Sequence, residues 1–358
     1  MSEPSQPDRA EAAPPGASAT AAAVVARSGA LIRTGRPYHL LARNSAHRWW
    51  RPLVALVVFA VSAVLGLVLG SAVLMGMGAF PLGSAFARSG LYLSRPEAID
   101  DLVDDPMWLL FIGFAGLVLL IPAVVLTARW VQQRPFGSVS GVTGGLRWHW
   151  LGRCLPMALA ALGAAFVAQV AYQLLTGQPG EPGEFPGWTT YLRVLLLAVL
   201  VVPLQSAAEE YVFRGLLLQT LTAWFRTPWV AVVVTSVLFL AGHGYDDPLV
   251  WCELLLMAVV GCWLTIRTGG LEATIAMHVV NNGLSLALSG LSGVPSLEQA
   301  GDYALSEVIP FMVAMLLYGW WVDRAAAGRE LSTVIGGRAR IAPWSLRPRD
   351  DLPAGARG

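Results

Sequence analysis

Residues 192–222 read LRVLLLAVLVVPLQSAAEEYVFRGLLLQTLT, and this stretch decides how the whole chain is read. It is long and apolar enough to cross a bilayer, for which about 20 mostly apolar residues suffice. Yet Pro203, Glu209, Glu210 and Arg214 stand inside it. An ionisable side chain at the centre of a membrane helix costs about 2.5–3.5 kcal/mol on insertion scales. Such residues face a bundle interior or a water-filled cavity and mark function. The stretch therefore predicts a membrane protein with a polar site buried within it.

The rest of the chain agrees. Of 358 residues, 55% are hydrophobic and 13% charged, with a mean hydropathy of +0.58. A soluble domain is nearer 45–50% apolar and about 25% charged. Lipid is thus the expected solvent for much of the surface, and a net charge of +1 leads to no expectation of a nucleic-acid partner. Cys154, Cys252 and Cys262 lie in or beside apolar runs. An odd count without paired spacing predicts small buried side chains, not a disulfide framework or a cysteine zinc site. No secretory signal is expected to open the chain, because the first long apolar run starts after Arg51. Residues 1–46 and 326–358, rich in Ala, Pro, Gly and Arg, are expected to be disordered tails flanking a helical membrane domain over 47–325.

Eight spanning helices are expected, near 52–79, 107–129, 154–175, 192–222, 228–244, 248–267, 271–290 and 304–323. Cytoplasmic loops carry the arginines of a membrane protein. Arg27, Arg33, Arg36, Arg43, Arg48 and Arg51 precede the first span, and Asp100, Asp101, Asp104 and Asp105 follow it. Arg129, Arg134, Arg147 and Arg153 follow the second, and Glu181 and Glu184 the third. The alternation continues through Arg226, Asp246 and Asp247, Arg267, Glu298 and Asp302, and Arg324. It predicts a cell-membrane protein with both termini cytoplasmic. Trp49, Trp50, Trp320 and Trp321 are expected at the interfaces.

Two further spans carry polar outliers: 239-FLAGH-243 ends in His243, and 274-TIAMHVVNNG-283 holds His278, Asn281 and Asn282. Glu210 and Arg214, four apart, share a helix face and can pair. Glu209 is turned about 100° away, so the same arginine cannot easily neutralise both, and one carboxylate is left for chemistry. Glu209 and His243 each lie 17 residues from Arg226, which sets them level in an antiparallel hairpin. His278 lies nine residues from Gly269. The difference, about 12 Å, vanishes if the hairpin projects into the cytoplasm. Glu253 and Glu272, near span ends, are expected to be structural.

These residues carry a family resemblance. Glu209-Glu210-Tyr-Val-Phe-Arg214 resembles the EExxxR motif of the CPBP intramembrane proteases, which include CAAX prenyl endopeptidases and bacterial bacteriocin-processing and immunity-related (Abi) proteins. Phe239-Leu-Ala-Gly-His243 resembles their FxxxH motif, and His278-Val-Val-Asn-Asn282 their HxxxN motif. The matching core covers about 190–290. The resemblance implies an all-α polytopic fold with a conical intramembrane active-site cavity. It implies that Glu209 activates water, that His243 helps to hold it, and that Glu210 and Arg214 form a supporting pair. His278 and Asn282 would stabilise the oxyanion.

Whether a metal takes part stays open at this point. The family is often labelled metalloprotease, and Glu209, His243 and His278 supply acceptable zinc ligands, but there is no HExxH helix. The expected partners are membrane lipid and a peptide or lipidated protein substrate. Two other functions compete: a non-catalytic immunity or scaffold protein of the same fold, and a proton-coupled transporter. A scaffold should have lost catalytic residues, and a transporter commonly shows paired repeats with broken helices. Every motif position is intact and no such repeat is evident, which favours the enzyme.

Overall fold

The computed structural model describes residues 35–78, 106–177, 184–295, 303–329, 331, 333 and 334. They form an α-helical bundle: α1 Arg51–Gly78, α2 Pro106–Val131, the single turn α3 Gly137–Ser140, α4 Trp148–Thr176, α5 Trp188–Phe225, α6 Pro228–Ala241, α7 Pro248–Thr268, α8 Glu272–Ser289 and α9 Leu305–Ala327. Among the described residues there is no β-strand. Isolated backbone bridges join Pro37 to Val334 and Gly141 to Gly270.

Each of the eight expected spans is a helix, but six of them are long and apolar enough to cross a membrane: α1, α2, α4, α5, α7 and α9. The protein is thus a multi-pass membrane protein. The remaining two, α6 and α8, fall short by length and by polarity, so a count of eight is not confirmed. α6 has 14 residues, about 21 Å at 1.5 Å per residue, against about 30 Å of hydrocarbon. α8 has 18 residues, but Glu272, His278, Asn281 and Asn282 make it too polar to face lipid. Its first half, Glu272 to His278, is buried throughout. Outward-facing residues are apolar, as lipid contact demands: Val57, Val61, Val64 and Val68 of α1 are each more than half exposed.

The core has two main parts. α8 packs against α4, and α9 closes over α4 and α7. Their shared core includes Trp150, Leu162, Phe239, Met257, Met277 and Met315. A second cluster joins Tyr38, Val124, Val139, Tyr211, Leu216 and Leu271. α7 begins on Asp247, whose carboxylate caps the backbone N–H groups of Leu249 (2.6 Å) and Val250 (3.3 Å). It ends at Gly269, whose φ of +75° is the left-handed conformation that glycine supplies most readily.

A polar latch fixes the start of α8. Arg147 donates to Glu272 through its backbone N–H (2.7 Å), Nε (2.9 Å) and Nη2 (2.7 Å). Beside it, the backbone of Leu271 donates to Ser140 and that of Val142 to Gly269. A Cβ on Gly270 would lie 2.4 Å from Glu272 Oε2, so the latch requires a glycine there. Glu272 is structural, as expected, but it is fully buried and not interfacial. Its charge also sits favourably in the first turn of α8.

Residues 35–46, which the composition assigned to the N-terminal tail, are packed against the bundle. Tyr38 is fully buried and donates to the carbonyl of Val139 at 2.5 Å. Arg134, enclosed beneath it, donates to Gln132, Ser138 and Gln219. Burial pushes Arg134 down to about 10, so it still carries its charge at neutral pH. Residues 35–46 are held by this aromatic anchor despite their tail-like composition. At the other end, Ala326 and Leu331, which the composition assigned to the second tail, join the core. Residues 1–34 and 335–358 lie outside the described residues, as do Asp100–Asp105, Glu181, Glu298 and Asp302. Of the cysteines, Cys154 and Cys262 are buried as expected, but Cys252 is exposed.

Candidate active site

Three helices supply the site, and α5 is the most irregular of them. Its α-helical geometry is interrupted near Val201, ahead of Pro203, and resumes over Val202–Glu210. It then widens into a π-helical segment over Tyr211–Leu217. Pro203 has no N–H to donate, and π segments recur at functional sites. Both glutamates stand where the regular helix gives way.

Glu210 is fully buried and saturated. Its Oε1 accepts from Arg214 Nη1 (2.8 Å) and His278 Nδ1 (2.7 Å), and its Oε2 from Thr274 Oγ1 (2.8 Å). A carboxylate that already receives a guanidinium can only accept, so the proton of that imidazole contact sits on His278 Nδ1. Arg214 also approaches the Met257 carbonyl (3.5 Å) and lies over the Phe239 ring, 4.3 Å from its centroid. The expected Glu210–Arg214 pair is therefore formed and buried at both ends.

Glu209 has the opposite character. Its Oε1 accepts from Gln205 Nε2 at 2.6 Å. Its Oε2 is buried without a hydrogen-bond partner and faces His278 Nε2 at 3.5 Å. A buried polar atom left unpaired costs about 1–3 kcal/mol, and such atoms call for an explanation. Gln205, which sequence reasoning passed over, lies one turn before Glu209 on the same face. Its amide oxygen accepts from Asn282 Nδ2 at 3.5 Å. The same-face rule applied to Glu209 would have found it.

His243 closes the site from the turn that follows α6. Its Nδ1 lies 2.7 Å from the Phe239 carbonyl, which can only accept, so this nitrogen donates and Nε2 is left for the site. The ring is half-buried and near enough to Glu209 and His278 to feel their charges. Phe239 is fully buried, with its centroid 4.4 Å from that of His243 and 5.8 Å from that of His278. It also meets Phe213 edge-on at 5.2 Å. Glu209, Glu210, Arg214, His243, His278 and Asn282 are thus brought together. Asn281 and Asn282, half-buried, continue the wall.

The donor chemistry of Glu209, His243 and His278 suits zinc, since both imidazoles anchor Nδ1 outward. Their spacing does not: among the described residues, no group of three or more His, Cys, Asp or Glu side chains could hold a metal ion.

A small residue keeps the supporting pair in place. A Cβ at Gly261 would lie 2.7 Å from Thr274 Oγ1 and 3.1 Å from Arg214 Nε, the two groups that hold Glu210. Gly261→Ala is expected to cost about 1–3 kcal/mol by overpacking. It should also reduce activity more than a remote glycine-to-alanine change such as Gly163→Ala, whose Cβ meets open space. Thermal unfolding in detergent and initial cleavage rates measure the two effects.

Comparison with known proteins converges on the same region. Residues 188–284 match the family described as type II CAAX prenyl endopeptidase Rce1-like. The uncharacterized protein YyaK of Bacillus subtilis (strain 168) is 28% identical over 228 residues, covering 59% of this chain and 74% of the relative. An uncharacterized 24.3 kDa protein of Escherichia coli is 26% identical over 183 residues, covering 50% and 80%. No solved structure matches. Trp188 to Leu284 takes in every motif residue of the site, and over this part the chain is similar to the Rce1-like type II CAAX prenyl endopeptidases.

Proposed function

We propose that the protein is an intramembrane endopeptidase that hydrolyses a peptide bond of a membrane-associated peptide or lipidated protein. The observation that carries this reading is Glu209 Oε2, a buried carboxylate oxygen with no partner, facing an imidazole nitrogen. In this mechanism Glu209 Oε2 takes a proton from a water that also contacts His243 Nε2. The resulting hydroxide attacks the scissile carbonyl, and the C–N bond breaks as Glu209 returns the proton to the leaving amine. Asn282 Nδ2 and a protonated His278 Nε2 donate to the oxyanion. The Glu210 carboxylate holds the other His278 nitrogen in register.

The buried, saturated Glu210 pair favours an enzyme over a proton relay. A relay residue must exchange protons, and Glu210 is fixed by three donors. The intact motif set likewise favours catalysis over a scaffold. The arginine alternation supports a cell-membrane location with cytoplasmic termini.

The test is proteolysis of an unbiased peptide library by the purified protein in detergent, with and without chelator, beside His243→Ala. Wild-type protein should cleave, and His243→Ala should lose about 10²-fold or more in rate while remaining folded. Cleavage surviving unchanged in His243→Ala would refute this assignment. Loss of activity with chelator would return the glutamate and both histidines to the role of metal ligands.

A further inference from the structure

The segment leading into α1 gathers cations around a cleft that catalysis does not use. Asn44, His47, Arg51, Gln132 and Thr220 line it, together with Ala42 and Pro52; its enclosed volume is about 10 Å³, room for one water, so a larger group meets these residues at its mouth. Asn44 Nδ2 donates to the Gln132 carbonyl (2.8 Å), and Gln132 Nε2 donates to Thr220 (2.7 Å). The floor is therefore built from three separate parts of the chain. Arg43 reaches across it to the Ala223 carbonyl at 3.0 Å.

Charge around the cleft has one sign. Burial first, then the charges of Arg43, Arg226, Arg36 and Arg48, hold His47 below the ordinary histidine range. The three lining segments, residues 36–51, 127–137 and 218–226, contain no Asp or Glu. Arg51, at the cleft, has Nε and Nη1 buried with no hydrogen-bond partner in the chain. Buried guanidinium donors require acceptors, and none of the surrounding side chains is anionic.

The depth of the cleft indicates what the acceptor is. Arg51 opens the first apolar helix, whose membrane-facing valines follow directly. Trp49 and Trp50, beside it, are 71% and 44% exposed. Exposed tryptophans at a span end sit at the headgroup level, and basic pockets between membrane helices accept anionic headgroups.

We infer that this cleft binds the phosphate of an anionic phospholipid headgroup, with Arg51 as the principal donor and His47 and Asn44 beside it. Arg43, Arg48 and Arg226 raise the local potential, and the acyl chains lie along the exposed face of α1. The bound lipid would fasten the N-terminal segment, α2 and α5 to one another at the membrane surface.

The experiment uses the purified, delipidated full chain in neutral detergent. Native mass spectrometry follows binding of dihexanoyl-phosphatidylglycerol, dihexanoyl-phosphatidylcholine and inorganic phosphate. One phosphatidylglycerol should bind in preference to phosphatidylcholine. Arg51→Gln should weaken it about fivefold to tenfold, with Arg51→Lys recovering most of the loss. His47→Gln is a second, independent probe should Arg51→Gln not stay monodisperse. Displacement of the lipid by millimolar inorganic phosphate supports recognition of phosphate itself, from either source. Resistance to displacement supports the intact headgroup. Equal affinity for the two lipids, or phosphatidylglycerol binding unchanged in Arg51→Gln and in His47→Gln, overturns the proposal.

Discussion

Glu209→Gln is expected to reduce cleavage by at least about 10²–10⁴-fold, the contribution of a positioned general base, while leaving the fold intact. The substitution is nearly isosteric, and a carbonyl oxygen at position 209 can still accept the Gln205 hydrogen bond seen at 2.6 Å. What it removes is the basic oxygen facing His278. Peptide release measured by mass spectrometry, with thermal unfolding in the same detergent as a control, separates the two effects. A variant retaining activity within about threefold of wild type would show that another group activates water. The proposed lipid cleft is unaffected by that result, since none of its residues belongs to the site.

Arg214→Met carries the largest expected cost in stability. It leaves the Glu210 carboxylate fully buried without its guanidinium. Breaking a buried pair by removing one partner costs about 3–5 kcal/mol, because a lone charge stays behind. We expect a fall in thermal midpoint on the order of 5–10 °C, together with loss of activity. Adding Glu210→Gln removes the stranded charge and should recover much of the stability but none of the activity. Such a partial rescue measures the coupling between the two residues directly. Equal stability of Arg214→Met and wild type would mean that water reaches Glu210 and neutralises its cost.

The grouping of the candidate site residues was largely legible in the sequence because its outliers are local. Glu209, Glu210 and Arg214 stand in one helix, where periodicity alone sorts their faces. His243 and His278 are conspicuous in apolar runs. Gln205 and Thr274 were equally accessible by the same-face rule, at four residues from Glu209 and from His278, but an uncharged side chain in a span attracts less notice. The Arg147–Glu272 latch was not legible, since its partners are 125 residues apart and nothing local joins them. Nor was the docking of residues 35–46, which rests on burial of Tyr38. The count of spans is unconfirmed at α6, whose 14-residue apolar run is short for a bilayer, and at α8, where the site's own polarity interrupts the apolar face.

Phe239 has a consequence for how a substrate arrives. One ring touches Arg214 of α5, His243 in the turn after its own helix and His278 of α8. Drawing these helices apart would strip three polar groups of a common apolar neighbour and flood the side of the site that must stay dry. Entry by prising α6 away from α8 is therefore the costly route. The peptide should approach from the opposite margin, where His243, Asn281 and Asn282 are already partly open, and slide in against a wall that does not move.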